Sequence, residues 1–254
     1  MDKAPKWKRD KSPRYVTVAM SGVVIALAVG LLIPLTLMVL LVEERETKVL
    51  LSFFSWGTVS GVLAFYLNSF AVDTFDVSSE AARIGYAPII EEFTKALPLF
   101  VLLFLLPSFM RRKEVILASV FSGIGFSVVE NYVYMIQRVD QDAFAVVQVV
   151  LTRSFSSTIM HGVATGMVGV SFYYILNGTF DELRVRYVLI PVSYSFAVIF
   201  HALYNLYVLF GRLGQTVAVV GVILLYTGAW LFIDIYYGGL DEGDDLPAEA
   251  EGQA

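Results

Sequence analysis

IGYAPIIEEFTKALPLFVLLFLLP, residues 84–107, has the length and apolarity of a membrane-spanning helix, yet Glu91, Glu92 and Lys95 lie inside it. A charged side chain at the bilayer centre costs about 2.5–3.5 kcal/mol on insertion scales. Such residues persist where they pair with one another or face a wet cavity. The stretch therefore raises two questions together: what surrounds it, and what the charges are for.

The surroundings are more of the same. Apolar blocks run over Val16–Val42, Val49–Val72, Ile84–Leu106, Val115–Ile136, Ala143–Leu176, Tyr187–Phe210 and Gln215–Tyr237. Each is about 20 residues or longer, enough to cross a hydrocarbon core of about 30 Å. The 254-residue chain is 57% hydrophobic, where a soluble domain carries roughly 45–50%, and its mean hydropathy is +0.70. Strands are excluded despite the Val/Ile-rich composition, because in lipid every backbone group must be satisfied within its own segment or a closed barrel. The predicted class is all-α: a polytopic membrane helix bundle of seven transmembrane helices, or eight if the long block Ala143–Leu176 is split.

The connections EERETK, DTFDVSSE, SFMRRKE, QRVDQD, NGTFDELRVR and GRLG are too short to hold a separate domain. One transmembrane domain is expected over 16–237, between a basic tail at 1–15 and an acidic, solvated tail at 238–254. The first block is too long for a cleavable signal and reads as a retained span. The absence of cysteine excludes disulfides and thiolate chemistry. Basic residues are few and not interleaved with aromatics, so no nucleic-acid partner is expected. Nine Lys/Arg fall in the N-terminal tail and even loops and seven in the odd loops, which together with the basic tail favours a cytoplasmic N-terminus.

Further polar residues interrupt the later blocks: Glu130 and Asn131 in GFSVVENYVY, His161 in SFSSTIMHGVATG, and His201 and Asn205 in FHALYNLY. The chain has two histidines, and both lie inside spans. The third and fifth spans start on one side of the membrane, and the fourth and sixth end there. At 1.5 Å per residue, Glu91, Glu92, Glu130 and His201 then share a depth of roughly 10–15 Å, with His161 nearer the midplane. Scattered structural residues have no reason to match in depth. Within each span the polar groups share a face: His201 with Asn205, His161 with Ser157 and Thr165, and Glu130 with Ser127 and Gly123. Gly162, Gly166 and Gly169 let helices approach closely.

A plainer account pairs Glu91 with Lys95 at i,i+4 as a self-neutralising couple, but leaves Glu92 and Glu130 without local partners. Two chemistries suit the full set. One is hydrolysis, with a glutamate as base towards water, histidines as oxyanion donors or metal ligands, and Asn205 as a further oxyanion donor. Two histidines and a glutamate also match the three-ligand set of a catalytic zinc. The other is a proton or cation pathway through a transporter. A retinal-type receptor is excluded, because the last span has no lysine.

The ordered set EEFTK (91–95), FSVVEN (126–131), HGVATG (161–166) and HALYN (201–205) resembles the PrsW family of intramembrane proteases, which is grouped with type II CAAX prenyl endopeptidases and bacteriocin-processing membrane proteases. The resemblance covers about residues 84–210. It implies an endopeptidase of a prokaryotic-type cell membrane that cuts a single-span, membrane-anchored protein substrate, with anti-sigma factors as the family's substrate class. It implies Glu91 and Glu92 as candidates for water activation, and Glu130, His161 and His201 as metal ligands or transition-state stabilisers. It further implies Asn205 as an oxyanion or orienting group, with Lys95 and Asn131 in support, and it leaves two mechanisms open, a zinc-assisted one and one in which the glutamate acts on water without a metal. HExxH is absent. Geometry decides between the two chemistries: a protease needs Glu91 or Glu92 within water-bridging reach of His161 or His201, whereas a transporter needs a polar route to both faces.

Overall fold

The computed structural model describes residues 13–105, 112–138, 143–176 and 183–237. Both expected tails lie essentially outside these residues. Eight helices follow in order: α1 (Pro13–Leu41), α2 (Arg45–Phe75), α3 (Ser79–Ile84), α4 (Tyr86–Leu105), α5 (Arg112–Ile136), α6 (Ala143–Leu176), α7 (Leu183–Leu209) and α8 (Gly211–Tyr237). No strand occurs among the described residues. Five segments are long and apolar enough to cross a membrane by length and composition: Val24–Leu41, Arg45–Phe75, Glu114–Ile136, Val146–Leu176 and Val188–Leu209. α4 carries Glu91, Glu92 and Lys95, and α8 contributes the shorter apolar run Leu213–Leu225.

All seven apolar blocks are helical. The eighth helix is not a split of the long block: α6 is continuous over 34 residues, about 51 Å at the standard rise. The extra element is α3, six residues in a connection expected to be a loop. Ser78 caps it, its side chain accepting from the Ala81 N–H, and Glu80 sits in its first turn, where the helix dipole favours an anion. Two left-handed residues shape the corners around it and beyond: Asp76 ends α2 at φ 48°, and Gly211 at φ 72° breaks the chain between α7 and α8.

α5 is the central helix, packed on α6 along one side and on α2 along another. Glycine makes both contacts close. A Cβ on Gly123 would lie 2.2 Å from the His161 carbonyl oxygen of α6, and one on Gly125 would lie 2.1 Å from the Phe54 carbonyl oxygen of α2. The small residues expected to ease packing on α6 do so less tightly at Gly162 and Gly166, whose nearest neighbours are side chains of Val120, than at Gly169, which meets Ser119.

α4 enters with Pro88 in its first turn, where the missing N–H has no partner to lose. Pro98 lies inside the helix and removes the donor that the Thr94 carbonyl would otherwise receive. The Trp56 indole of α2 donates to that oxygen at 2.9 Å, and Ser122 of α5 donates to the next carbonyl, Lys95, also at 2.9 Å. The kink is thus filled by neighbours, and α4 is fixed between α2 and α5 at the turn that carries its charges.

Substituting Gly123→Ala should force α5 off α6 beside His161 and lower stability by about 1–3 kcal/mol, the usual cost of overpacking. Gly221→Ala, with open space around its Cβ, should leave stability unchanged. Thermal denaturation of the two variants in one detergent checks this, and equal shifts would contradict the close approach.

Candidate active site and metal centre

The sequence marked Glu91, Glu92, Lys95, Glu130, His161 and His201 as convergent, and the structure brings all six together. Lys95 and Glu92 form the floor. Both are fully buried, with Lys95 Nζ 2.6 Å from Glu92 Oε1. The expected i,i+4 pair of Glu91 with Lys95 does not form; the lysine turns to Glu92 at i,i+3 instead, which leaves Glu91 free to face elsewhere. The ammonium also lies 2.9 Å from His161 Nδ1 and 4.7 Å from the centre of the Phe126 ring. Glu92 accepts twice more, from His201 Nδ1 at 2.7 Å and from Thr165 Oγ1 at 3.3 Å.

These contacts place a proton on each histidine. An ammonium only donates, so His161 Nδ1 accepts and its proton sits on Nε2. That proton points at Glu130 Oε2, 3.0 Å away. A carboxylate only accepts, so His201 carries a proton on Nδ1. His201 Nε2 is buried without a hydrogen-bond partner, and so is Glu91 Oε2, 3.6 Å from it. The other oxygen, Glu91 Oε1, accepts from Asn68 Nδ2 of α2 at 2.9 Å. The two imidazoles stand nearly perpendicular, their ring centres 4.8 Å apart.

Two partnerless buried atoms, an imidazole nitrogen and a carboxylate oxygen, face each other where a proton or a metal cation would join them. Glu91, His161 and His201 each bring one ligand atom within 4.8 Å of the others. This is the two-histidine, one-carboxylate set of a catalytic zinc. Behind His201 stands a second carboxylate, Glu92, on the ring nitrogen opposite the one that faces Glu91, the arrangement that orients a metal-bound imidazole. The donor set fits a divalent cation, at the expense of one of the two bonds His161 now makes. The carboxylate of this group is Glu91; Glu130, which the sequence placed with the two histidines, is bonded to His161 Nε2.

Glu130 is held by three groups at one oxygen. Oε2 receives Arg153 at 2.9 Å, Ser157 Oγ at 3.0 Å and His161 Nε2. Arg153, Ser157 and His161 are spaced i, i+4, i+8, one stripe of α6 aimed at one carboxylate. Sequence reasoning missed Arg153, though an arginine at that spacing inside an apolar block was its signal. It also missed Asn68, a lone amide in the second block. Asn205 Nδ2 donates to the Arg83 carbonyl at 3.0 Å and ties α7 to α3. Asn131 makes no bond to the cluster, and its Oδ1 is buried without a partner.

A cavity of about 530 Å³ reaches this cluster, with Asn68, Glu91, Phe126, Glu130 and Asn205 in its wall. Its other end is lined by Asp73, Ser79 and Glu80, which are exposed. Polar groups therefore run from the rim at α3 to the two outer glutamates. The histidines lie directly behind them, both fully buried. Side-chain exposure falls from 16% at Glu130 to 9% at Glu91 and 0% at Glu92, so the first two can meet water and the third cannot.

Glu92→Gln should leave the Lys95 ammonium buried without its carboxylate and destabilise the fold by about 3–5 kcal/mol. Glu91→Gln keeps the Asn68 contact and should cost far less. Chemical denaturation of the two variants in detergent measures the difference, and equal losses would contradict the division between floor and wall.

A family model described as PrsW family intramembrane metalloprotease matches residues 45–232, from α2 into α8 and about three-quarters of the chain. The match is wider than the motif core 84–210. No curated protein and no solved structure matches the chain.

Proposed function

The chain belongs to the PrsW family of intramembrane metalloproteases, and on that footing we propose how its buried cluster hydrolyses a peptide bond of a membrane protein in the bilayer. The observation that carries the reading is the pair of partnerless atoms, Glu91 Oε2 and His201 Nε2, facing each other 3.6 Å apart at the end of a polar cavity. Glu91, His161 and His201 would hold a divalent cation, with zinc the first choice from the donor set. When bound, such an ion supplies Lewis-acid polarisation of the substrate carbonyl and acidity to water.

The remaining work falls to the chain's own groups. Glu92 never touches the cavity; it orients His201 and neutralises Lys95. Glu130 is the carboxylate left on the wall once Glu91 is engaged. Its three bonds all go to Oε2, so Oε1 is without a protein partner and accepts the proton of the attacking water. Arg153 and Ser157 hold that carboxylate in place. Asn205 fixes α3 to α7 at the cavity mouth, a positioning role in place of direct oxyanion binding. Water enters past the exposed residues of α3.

The membrane count belongs to the same proposal. Seven helices, all but α3, cross the bilayer, with α4 able to do so because its charges are turned inward. The substrate is a single-span protein of the anti-sigma-factor type, and the N-terminus is cytoplasmic in a prokaryotic-type membrane. A transporter would need polar residues leading from the cluster to both faces. The cavity reaches the cluster from the α3 side, and the opposite side is packed by Leu99, Phe100, Ala118 and Phe172.

The test is cleavage of co-expressed single-span substrates. Glu91→Gln, Glu130→Gln, His161→Ala and His201→Ala should each lower the cleavage rate by about a hundredfold or more, the range of lost general-base or electrostatic groups. Asn131→Ala should cut at the wild-type rate. Undiminished cleavage in Glu91→Gln and His201→Ala would end the proposal.

A further inference from the structure

A second cavity, of about 750 Å³, lies beside the first and shares Arg83 and Tyr134 with it as a common wall. It is formed where α5 and α7 end and α6 and α8 begin, so it sits at the same rim of the bundle as the mouth of the first cavity. Among the described residues its charged lining consists of Arg83, Arg138 and Arg153, with no carboxylate. The three guanidinium groups gather on one ring: their central carbons stand 4.8, 5.6 and 3.6 Å from the Tyr134 centroid. Arg83 also donates to the Tyr134 hydroxyl, and Arg138 to the Tyr134 carbonyl at 3.3 Å.

Three cations around one aromatic ring repel one another. Glu130 neutralises Arg153, but among the described residues no carboxylate pairs with Arg83 or Arg138. Arg153 Nε is buried and has no partner. α7 and α8 add Val208, Val219 and Val220 to the lining, beside Gln215 and Thr216. A cationic cluster with aliphatic side chains in the same cavity, at the level where spans end, suits a lipid: phosphate on the arginines, acyl chain along the valines. Guanidinium forks match phosphate oxygens in pairs, and basic pockets between membrane helices bind anionic headgroups.

We propose that this cavity binds the phosphate of an anionic phospholipid through Arg83, Arg138 and Arg153. Arg153 connects it to the protease site, since the same guanidinium holds Glu130 Oε2 at 2.9 Å. This connection rests on the proposed role of Glu130; the binding site does not.

The full chain, purified in neutral detergent, is given phosphatidylglycerol or phosphatidylcholine, and bound lipid is counted by native mass spectrometry alongside the melting temperature. Phosphatidylglycerol should be retained at least tenfold better and should raise the melting temperature. Arg83→Gln/Arg138→Gln should lose that preference while melting at the wild-type temperature without lipid. Should the double variant not fold, Arg138→Gln alone should lower the preference at least threefold. Equal retention of the two lipids, or a preference that survives the substitutions, overturns the proposal. So does an equal thermal shift from millimolar inorganic phosphate, which marks a free-phosphate site, or from an acidic juxtamembrane peptide in place of lipid. Because lipid retention is read without substrate, failure of the protease reading leaves this result standing.

Discussion

A lysine ammonium with no exposure, 2.6 Å from an equally enclosed carboxylate, sets the terms for everything near it. Neither group survives alone inside a membrane bundle, and a single pair leaves donors and lone pairs over. Lys95 therefore reaches to His161 and Glu92 to His201, and those imidazoles are held in orientation. The pair is a weak source of stability by itself. Its effect is to specify which atoms are left without partners beside the cavity wall, and those atoms are Glu91 Oε2 and His201 Nε2.

The packing around the pair serves the same end. Pro98 frees the Thr94 carbonyl, to which Trp56 of α2 donates, and Ser122 of α5 donates to the adjacent Lys95 carbonyl. Gly123 lets α5 touch α6 at His161 itself. The helix that carries Glu130 and the helix that carries His161 are thus in contact at the level of the site, with Ser127 and Thr158 bonded across the seam at 2.9 Å. Function needs water at this point and stability needs it excluded. The bundle separates the two demands by depth: Glu130 and Glu91 on the wall, and Glu92, Lys95 and the histidines behind.

The sequence revealed helices and convergence well, and connectivity within the site poorly. Block lengths marked seven helices because apolar runs in lipid have one backbone solution, and span parity placed the glutamates and histidines at one depth. What parity cannot give is azimuth between helices. It therefore missed that Lys95 turns to Glu92 and not to Glu91, that Glu91 faces His201 while Glu130 is bonded to His161, and that Asn205 is used on the Arg83 carbonyl. Asn68 was illegible for a simpler reason, since one amide in an apolar block carries no pattern. Arg153 did carry one, two turns before His161 on the same stripe, and shows that an arginine inside a span is read most safely as a partner in search of a carboxylate. α3 was hidden because six residues make no periodicity, leaving only its serine cap as a mark.

The account turns on one point in space where Glu91, His161 and His201 meet, inside a family of metalloproteases. The direct measurement is metal content and X-ray absorption on the chain purified without chelator. The account predicts one divalent ion per chain, with two imidazole nitrogens and a carboxylate oxygen as protein ligands, and loss of that ion in His201→Ala. Full proteolytic activity in a chain carrying no stoichiometric metal would contradict it.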